Sequence, residues 1–593
     1  MTNKISKSGL LVASALVLVF SLPAVGQQGP ESLLPEGFGD PAPPPTPIAG
    51  RPSPNVTGSP VGATPATSLT EDESATEEED EEDPELAIRF DVPPSARQSL
   101  NDIGILSEAS GGFPANSFGT LDGAFLNQIL KRTTGPIASR WGTIMARRLL
   151  ASRTNTPAGV NGADWTAERA WLLLRMGDSV VARNLVQQVD SVDYTKRLHE
   201  VAMQAYLANG DLAGMCPISE SGARLVNNGR WKMTRAICAS LAGEQGNATA
   251  LINQGRYQGW VRGVDYLLAE KAVGAGMNGR RSVQIEWDNV EGMNPWRFGL
   301  SAAVGLEPPE SLFAGTGRQI DGWRVQLPMF TPTIRVKYAS NAAALGILSN
   351  RNMVDLYAQV LADPDAPDTA RTQAESLGNA YTASDADAKV AAMTSLWTTA
   401  AAGADYQASL VMTARAAALI APDSDHQAEA DRLIASMLTA GFDRSAARWV
   451  DVVADGSLGW ALVTLAAPGR VTAADYGSLD DFLGNDDSTD GHKSRLLLAG
   501  LSGLGRIESD ARKDFASDLK VNIARQTAWS KAITAAAERG EQGTVALMAM
   551  AALQAPSWSA VPANHLYYIV RSLRQVGLEA EARMIAAEAV TFA

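Results

Sequence analysis

The chain has 593 residues, 45% of them hydrophobic, and a mean hydropathy of -0.07, values that describe a soluble folded protein too long for one ordinary core. The formal charge is -15, but eleven carboxylates fall between Glu71 and Glu85 with no base among them, and leaving that run out brings the charge to -4. A body so near neutrality lacks the basic face that nucleic-acid binding needs, and gives no reason to expect strong attraction to anionic lipid. Alanine-rich, β-branch-poor sequence favours helix, because Ala loses no side-chain entropy there.

The first 26 residues read as a secretory signal. Lys4 and Lys7 form a basic start, Leu10 to Phe20 an apolar stretch, and Ala24-Val25-Gly26 supplies small residues before a cut ahead of Gln27. The stretch is well short of the ~20 residues that span a bilayer, and no Cys stands near the cut to carry a lipid anchor. The competing reading is an uncleaved N-terminal anchor. Residues 27–94 are Pro-rich around Pro41 to Pro47 and then strongly acidic. Few large apolar groups are available there to offset the entropy of folding, so a disordered linker is expected.

From residue 95 onward the pattern is helical. Gly135-Pro136 is expected to start a helix whose buried face is Ile137, Trp141, Ile144, Met145 and Leu149. Glycine then recurs at 33-residue spacing at Gly177, Gly210, Gly243 and Gly276. The first three stand as Met176-Gly177-Asp178, Asn209-Gly210-Asp211 and Ala242-Gly243-Glu244. A left-handed Gly ends one helix, and the following acid suits the start of the next. Less regular copies follow at Gly305, Gly346, Gly441, Gly540 and Gly577. Ala182, Ala248, Ala446 and Ala582 each stand five residues after such a glycine, as small residues at close helix contacts would.

This spacing of paired helices resembles the tetratricopeptide-like α-solenoid class. The likeness covers Trp165 to Gly276 well and the remainder loosely, and the family's Trp-x-x-Leu-Gly-x-x-Tyr core is missing. It implies an all-α fold of stacked antiparallel hairpins, with an irregular helical bundle as the alternative. N-terminal repeats are expected over 95–285 and C-terminal repeats over 339–593. Between them, 286–338 reads as an irregular insertion with extended-looking pieces such as Trp323 to Leu327. Inserted loops in solenoids often lie on the binding face, so Trp287, Trp296 and Trp323 are the candidate binding residues.

Candidates for chemistry are few. Cys216 and Cys238 are the only cysteines and sit on adjacent predicted helices, where a disulfide is expected in an oxidising compartment. His199, His426, His492 and His565 are scattered without metal-ligand spacing. Asp486 to Gly491 faintly resembles a calcium loop, but its twelfth position would be Leu497 instead of the required Glu. Glu286-Trp287-Asp288 is the best enzyme-like fragment, with Glu286 or Asp288 as acid and the ring as a sugar platform. Its two carboxylates stand two apart and face different ways in regular structure. Some lytic transglycosylases carry a similar Ala-rich superhelix, yet their catalytic Glu-Ser and Gly-Leu-Met-Gln segments are missing here.

The expectation is a non-catalytic, exported scaffold or adaptor of the periplasm that binds another envelope protein or a cell-wall polymer. It would have no cofactor, no metal and no membrane span in the mature chain; outer-membrane association or secretion are the other destinations open to it. The alternative is a glycan- or peptidoglycan-degrading enzyme built on an α-helical barrel.

Overall fold

The computed structural model describes residues 97–277 and 283–593. The signal, linker and acidic-run readings therefore lie outside the described residues. Within them the chain forms twenty-seven α-helices and no strand, with isolated bridges such as Leu106 to Ser152 tying loops together.

The first group is α1 (Gly123–Arg132), α2 (Arg140–Ala151), α3 (Gly162–Arg175), α4 (Ser179–Val186), α5 (Lys196–Ala208), α6 (Ser219–Leu225), α7 (Gly229–Leu241), α8 (Gln245–Gln258) and α9 (Val264–Gly276). Here the glycine spacing finds its cause. Gly177, Gly210 and Gly243 take φ of 85°, 61° and 81°, ending α3, α5 and α7. Asp178 then caps α4 by accepting from the Val181 amide, and Asp211 accepts from the Gly214 amide in the turn after α5. Gly276 differs: it is the last residue of α9, outside the left-handed region. There an added Cβ would meet Ser240 Oγ at 2.5 Å, so close packing of α9 on α7 needs the missing side chain. The later glycines Gly305, Gly346, Gly441, Gly540 and Gly577 all take positive φ, and the four alanines five residues after such glycines are all buried.

The second group is α10 (Pro295–Ala303), α11 (Gln319–Gln326), α12 (Pro332–Val336), α13 (Ala339–Ala344), α14 (Asn350–Ala362), α15 (Asp368–Thr382), α16 (Ala386–Thr399), α17 (Ala404–Leu419) and α18 (Ala430–Thr439). One expectation is corrected here. Trp323 to Gln326 is helical, in α11, where no cross-strand partner would make an extended piece stable. Within the segment 286–338, α10 packs on α5 and α9 while α11 packs on α4 and α13. Gly299 permits the first of these contacts: a Cβ there would collide with the Leu207 carbonyl of α5.

The last group is α19 (Asp443–Ala447), α20 (Leu458–Ala466), α21 (Tyr476–Gly484), α22 (His492–Leu504), α23 (Ser509–Asp518), α24 (Ala528–Glu538), α25 (Gln542–Ala552), α26 (Ala563–Gln575) and α27 (Glu579–Phe592). Helices α17, α18, α20 and α27 pack in succession, and α27 then meets α22 and α26. The stack does not end open. Helix α2 packs on α25 and α27 as well as on α3 and α4, and α1 also reaches α25. The circuit α2, α4, α11, α13, α17, α18, α27 thus returns to α2, each helix covering an apolar face that its neighbour leaves bare.

Buried arginines fasten these contacts by donating to carbonyls that helix ends leave without partners. Arg169 reaches Leu150, Ser152 and Ile103 oxygens at 2.6 to 2.9 Å around the end of α2. Arg506 does the same for Thr464 and Leu465 at the end of α20. Burial draws the Arg169 guanidinium down to about 9, which leaves it charged at neutral pH.

Candidate functional site

The site is built from the start of α2. Residues 133–139 are a loop instead of the expected first turn, and Ser139 caps the helix by accepting from the Gly142 amide at 2.8 Å. Glu588 of α27 lies on this N-terminus. Its carboxylate accepts from Ser139 Oγ and the Arg140 amide, each at 2.6 Å, and from the Trp141 amide at 3.0 Å. Anions suit that position because the first amides of a helix point outward unpaired. Burial raises the Glu588 carboxyl above the usual range, and these donors work against the rise.

The Arg140 side chain runs the other way, into three carbonyls: Ala343 at 2.8 Å, Thr439 at 2.5 Å and Leu348 at 3.2 Å. It closes the end of α18 and the turn after α13 at one point. Trp141 donates its indole N–H to Leu438 at 3.1 Å. These bonds fix the first turn of α2 against α18, α27 and the α13–α14 turn.

Beside that turn opens a cleft of about 630 Å³. Ligand pockets commonly hold ~300–1,000 Å³. Three half-buried rings face it: Trp141, Tyr381 at the end of α15, and Phe442. Phe442 follows Gly441, whose φ of 76° turns the chain sharply out of α18. Two exposed cations, Arg351 of α14 and Arg415 of α17, line it with Asp355, which stands 3.7 Å from Arg351. Asn350 holds α14 to α17 by donating to the Val411 and Met412 carbonyls at 2.8 and 2.9 Å. The Tyr381 hydroxyl lies against Asn350, and burial pushes its ionisation upward, so it is a neutral hydroxyl at physiological pH.

The structure disperses the residues singled out from the sequence. Trp296 and Trp323 are fully buried (0% exposed), their indole N–H groups donating to Asp265 and Leu174 carbonyls at 3.0 and 3.3 Å. Neither ring can stack on an external ligand, which corrects the expectation of a tryptophan binding face. Trp287 is half-buried on the core edge, and Glu286 and Asp288 are exposed on the irregular segment between α9 and α10. That stretch is not part of the cleft.

Cys216 and Cys238 are joined in a disulfide with Cα atoms 5.4 Å apart. Cys216 lies in the short 3-10 segment Ala213–Ile218, and the bond anchors that segment to α7. His199 is buried, hydrogen-bonded to the Thr195 carbonyl at 2.8 Å and Ser221 Oγ at 2.9 Å. In the Asp486 loop, the carboxylate accepts from the amides and hydroxyls of Ser488 and Ser494. It serves the start of α22. Among the described residues no group of three His, Cys, Asp or Glu is placed to hold a metal ion, and no helix is long and apolar enough to cross a membrane.

Sequence reasoning missed Arg351, Tyr381, Arg415 and Phe442, which meet only through tertiary packing. One signal was available. Of the stripe assigned to the helix face, Met145 and Leu149 are core, whereas Trp141 and Ile144 are half-exposed and line the cleft.

Comparison with protein-family models, with characterised proteins and with solved structures gives no match for this chain. The tetratricopeptide-like resemblance therefore rests on the glycine spacing and the helical hairpins alone.

Proposed function

We propose that this is an exported, non-catalytic helical-repeat binding protein of the bacterial envelope, working in the periplasm as a scaffold or adaptor, and that its partner seats in the cleft beside α2. The observation that carries this reading is the cleft's lining: three half-buried rings and two exposed arginines on a wall that Glu588 and Arg140 fix in place. A rigid wall with aromatic and guanidinium groups is what recognition uses, since little ordering entropy is then lost on binding. Asp355 is the only carboxylate in that lining, and hydrolysis of a glycosidic bond ordinarily takes two acids. The signal-like N-terminus and the Cys216–Cys238 disulfide support an oxidising compartment.

The test is recovery from crosslinked envelopes with wild type and Arg415→Glu, a change on an exposed side chain. A reproducible envelope protein or cell-wall polymer is expected with wild type and a depleted one with the variant. Recovery of no reproducible partner, or fractionation of the mature protein with the cytoplasm, would sink the proposal.

A further inference from the structure

We infer that the cleft beside α2 binds an acidic saccharide: a pyranose ring lying against Trp141, Tyr381 and Phe442, with its carboxylate held by Arg351 and Arg415. This rests on the binding reading above and names the ligand class of that same cleft.

The rings decide the first half. A pyranose presents flat C–H faces, and half-buried indole, phenol and phenyl groups offer matching apolar faces. An extended peptide fits less well. It brings backbone N–H and C=O groups that need partners, and this wall is made of helices whose own backbone groups are engaged. Arg140 offers nothing to an occupant either, its donors being committed to Ala343, Leu348 and Thr439.

The charges decide the second half. Both exposed cations of the lining are arginines, whose planar fork matches a carboxylate through paired hydrogen bonds. They come from different helices, α14 and α17, and line the same cleft. Asp355 beside Arg351 removes part of that positive charge. What remains suits a singly charged group better than a phosphate dianion. The volume of about 630 Å³ holds a short stretch of oligosaccharide.

Titration calorimetry on the full mature chain tests this, using short oligogalacturonate, its methyl ester, a panel of other acidic and neutral oligosaccharides, and inorganic phosphate. An acidic oligosaccharide should bind, and its esterified or neutral counterpart at least about tenfold more weakly. Arg351→Gln and Arg415→Gln should each cost a similar factor, while Phe442→Ala should weaken acid and ester alike. A thermal melt of each variant separates lost binding from lost folding. Equal binding of acid and ester, equally tight binding of phosphate, or unchanged affinity in Arg415→Gln with the fold intact would overturn the inference. If no acidic saccharide binds while wild type still captures an envelope partner that Arg415→Glu loses, the ligand class fails and the proposed function stands. If neither occurs, both fail.

Discussion

Glu588 accepts three hydrogen bonds at the start of α2, and the buried Arg140 guanidinium, which runs the other way into carbonyls, is coupled to it through space and not by an ion pair. Removing the carboxylate strands three donors and takes that counter-charge away from Arg140 in a dry site. Glu588→Ala should therefore lose about 3–5 kcal/mol in urea unfolding, and Glu588→Gln, which keeps an acceptor oxygen, clearly less. Equal stabilities for both variants and wild type would show that the carboxylate does not hold α2 to α27. Histidine gives a pH prediction with the sign set by burial. His199 and His565 are both held below 6.5, so the folded chain refuses protons that the unfolded chain accepts. That makes their contribution complete above 6.5 and lost as the pH falls through it toward their folded values. The raised Glu588 and Asp178 carboxyls act in the opposite sense, gaining stability as acid relieves their burial. His565→Gln isolates the imidazole: its urea midpoint should drop less than that of wild type between about pH 7.5 and about pH 5.5.

At the scale of the helix, two glycines do different work and should fail differently. Gly243 ends α7 at φ 81° with nothing within 4 Å of where a Cβ would stand. Gly243→Ala then measures left-handed strain alone, about 1–2 kcal/mol. Gly299 is helical, so Ala there improves helix propensity by up to about 1 kcal/mol while driving a methyl into the Leu207 carbonyl. If backbone contact between α10 and α5 matters as the packing implies, Gly299→Ala should still be the more damaging substitution in chemical denaturation. A neutral or stabilising Gly299→Ala would mean the two helices part easily. The glycine turns were legible from spacing because a turn requirement acts on one residue at a time. Arg169 was not, since nothing in Ala167-Glu168-Arg169-Ala170 distinguishes a helix-end cap from a solvated surface arginine.

Over the whole molecule, the return of α25 and α27 onto α1 and α2 ties the two ends of the described array together. An open solenoid can fray repeat by repeat, but a closed circuit loses neighbours on both sides at once. Tryptophan fluorescence and far-UV circular dichroism should then report one coincident unfolding transition, and two well-separated transitions would contradict closure. The Cys216–Cys238 bond spans 22 residues of sequence in the α5–α7 region. Replacing both cysteines with serine should lower stability by about 3 kcal/mol on the chain-entropy account, read in urea unfolding.

The helical class, the hairpin turns at Gly177, Gly210 and Gly243, and the cysteine pairing were determined by the sequence, because each follows from local propensity, a single backbone conformation or the only two thiols available. The cleft was decided by tertiary structure. Trp141, Tyr381, Arg415 and Phe442 are scattered along the chain and share no periodicity, so only the closing of α2 onto α18 and α27 brings them to one wall. The same packing buried Trp296 and Trp323. Residue type alone cannot tell an indole that fills a core from one that waits for a ligand, because both are apolar bodies with one polar edge.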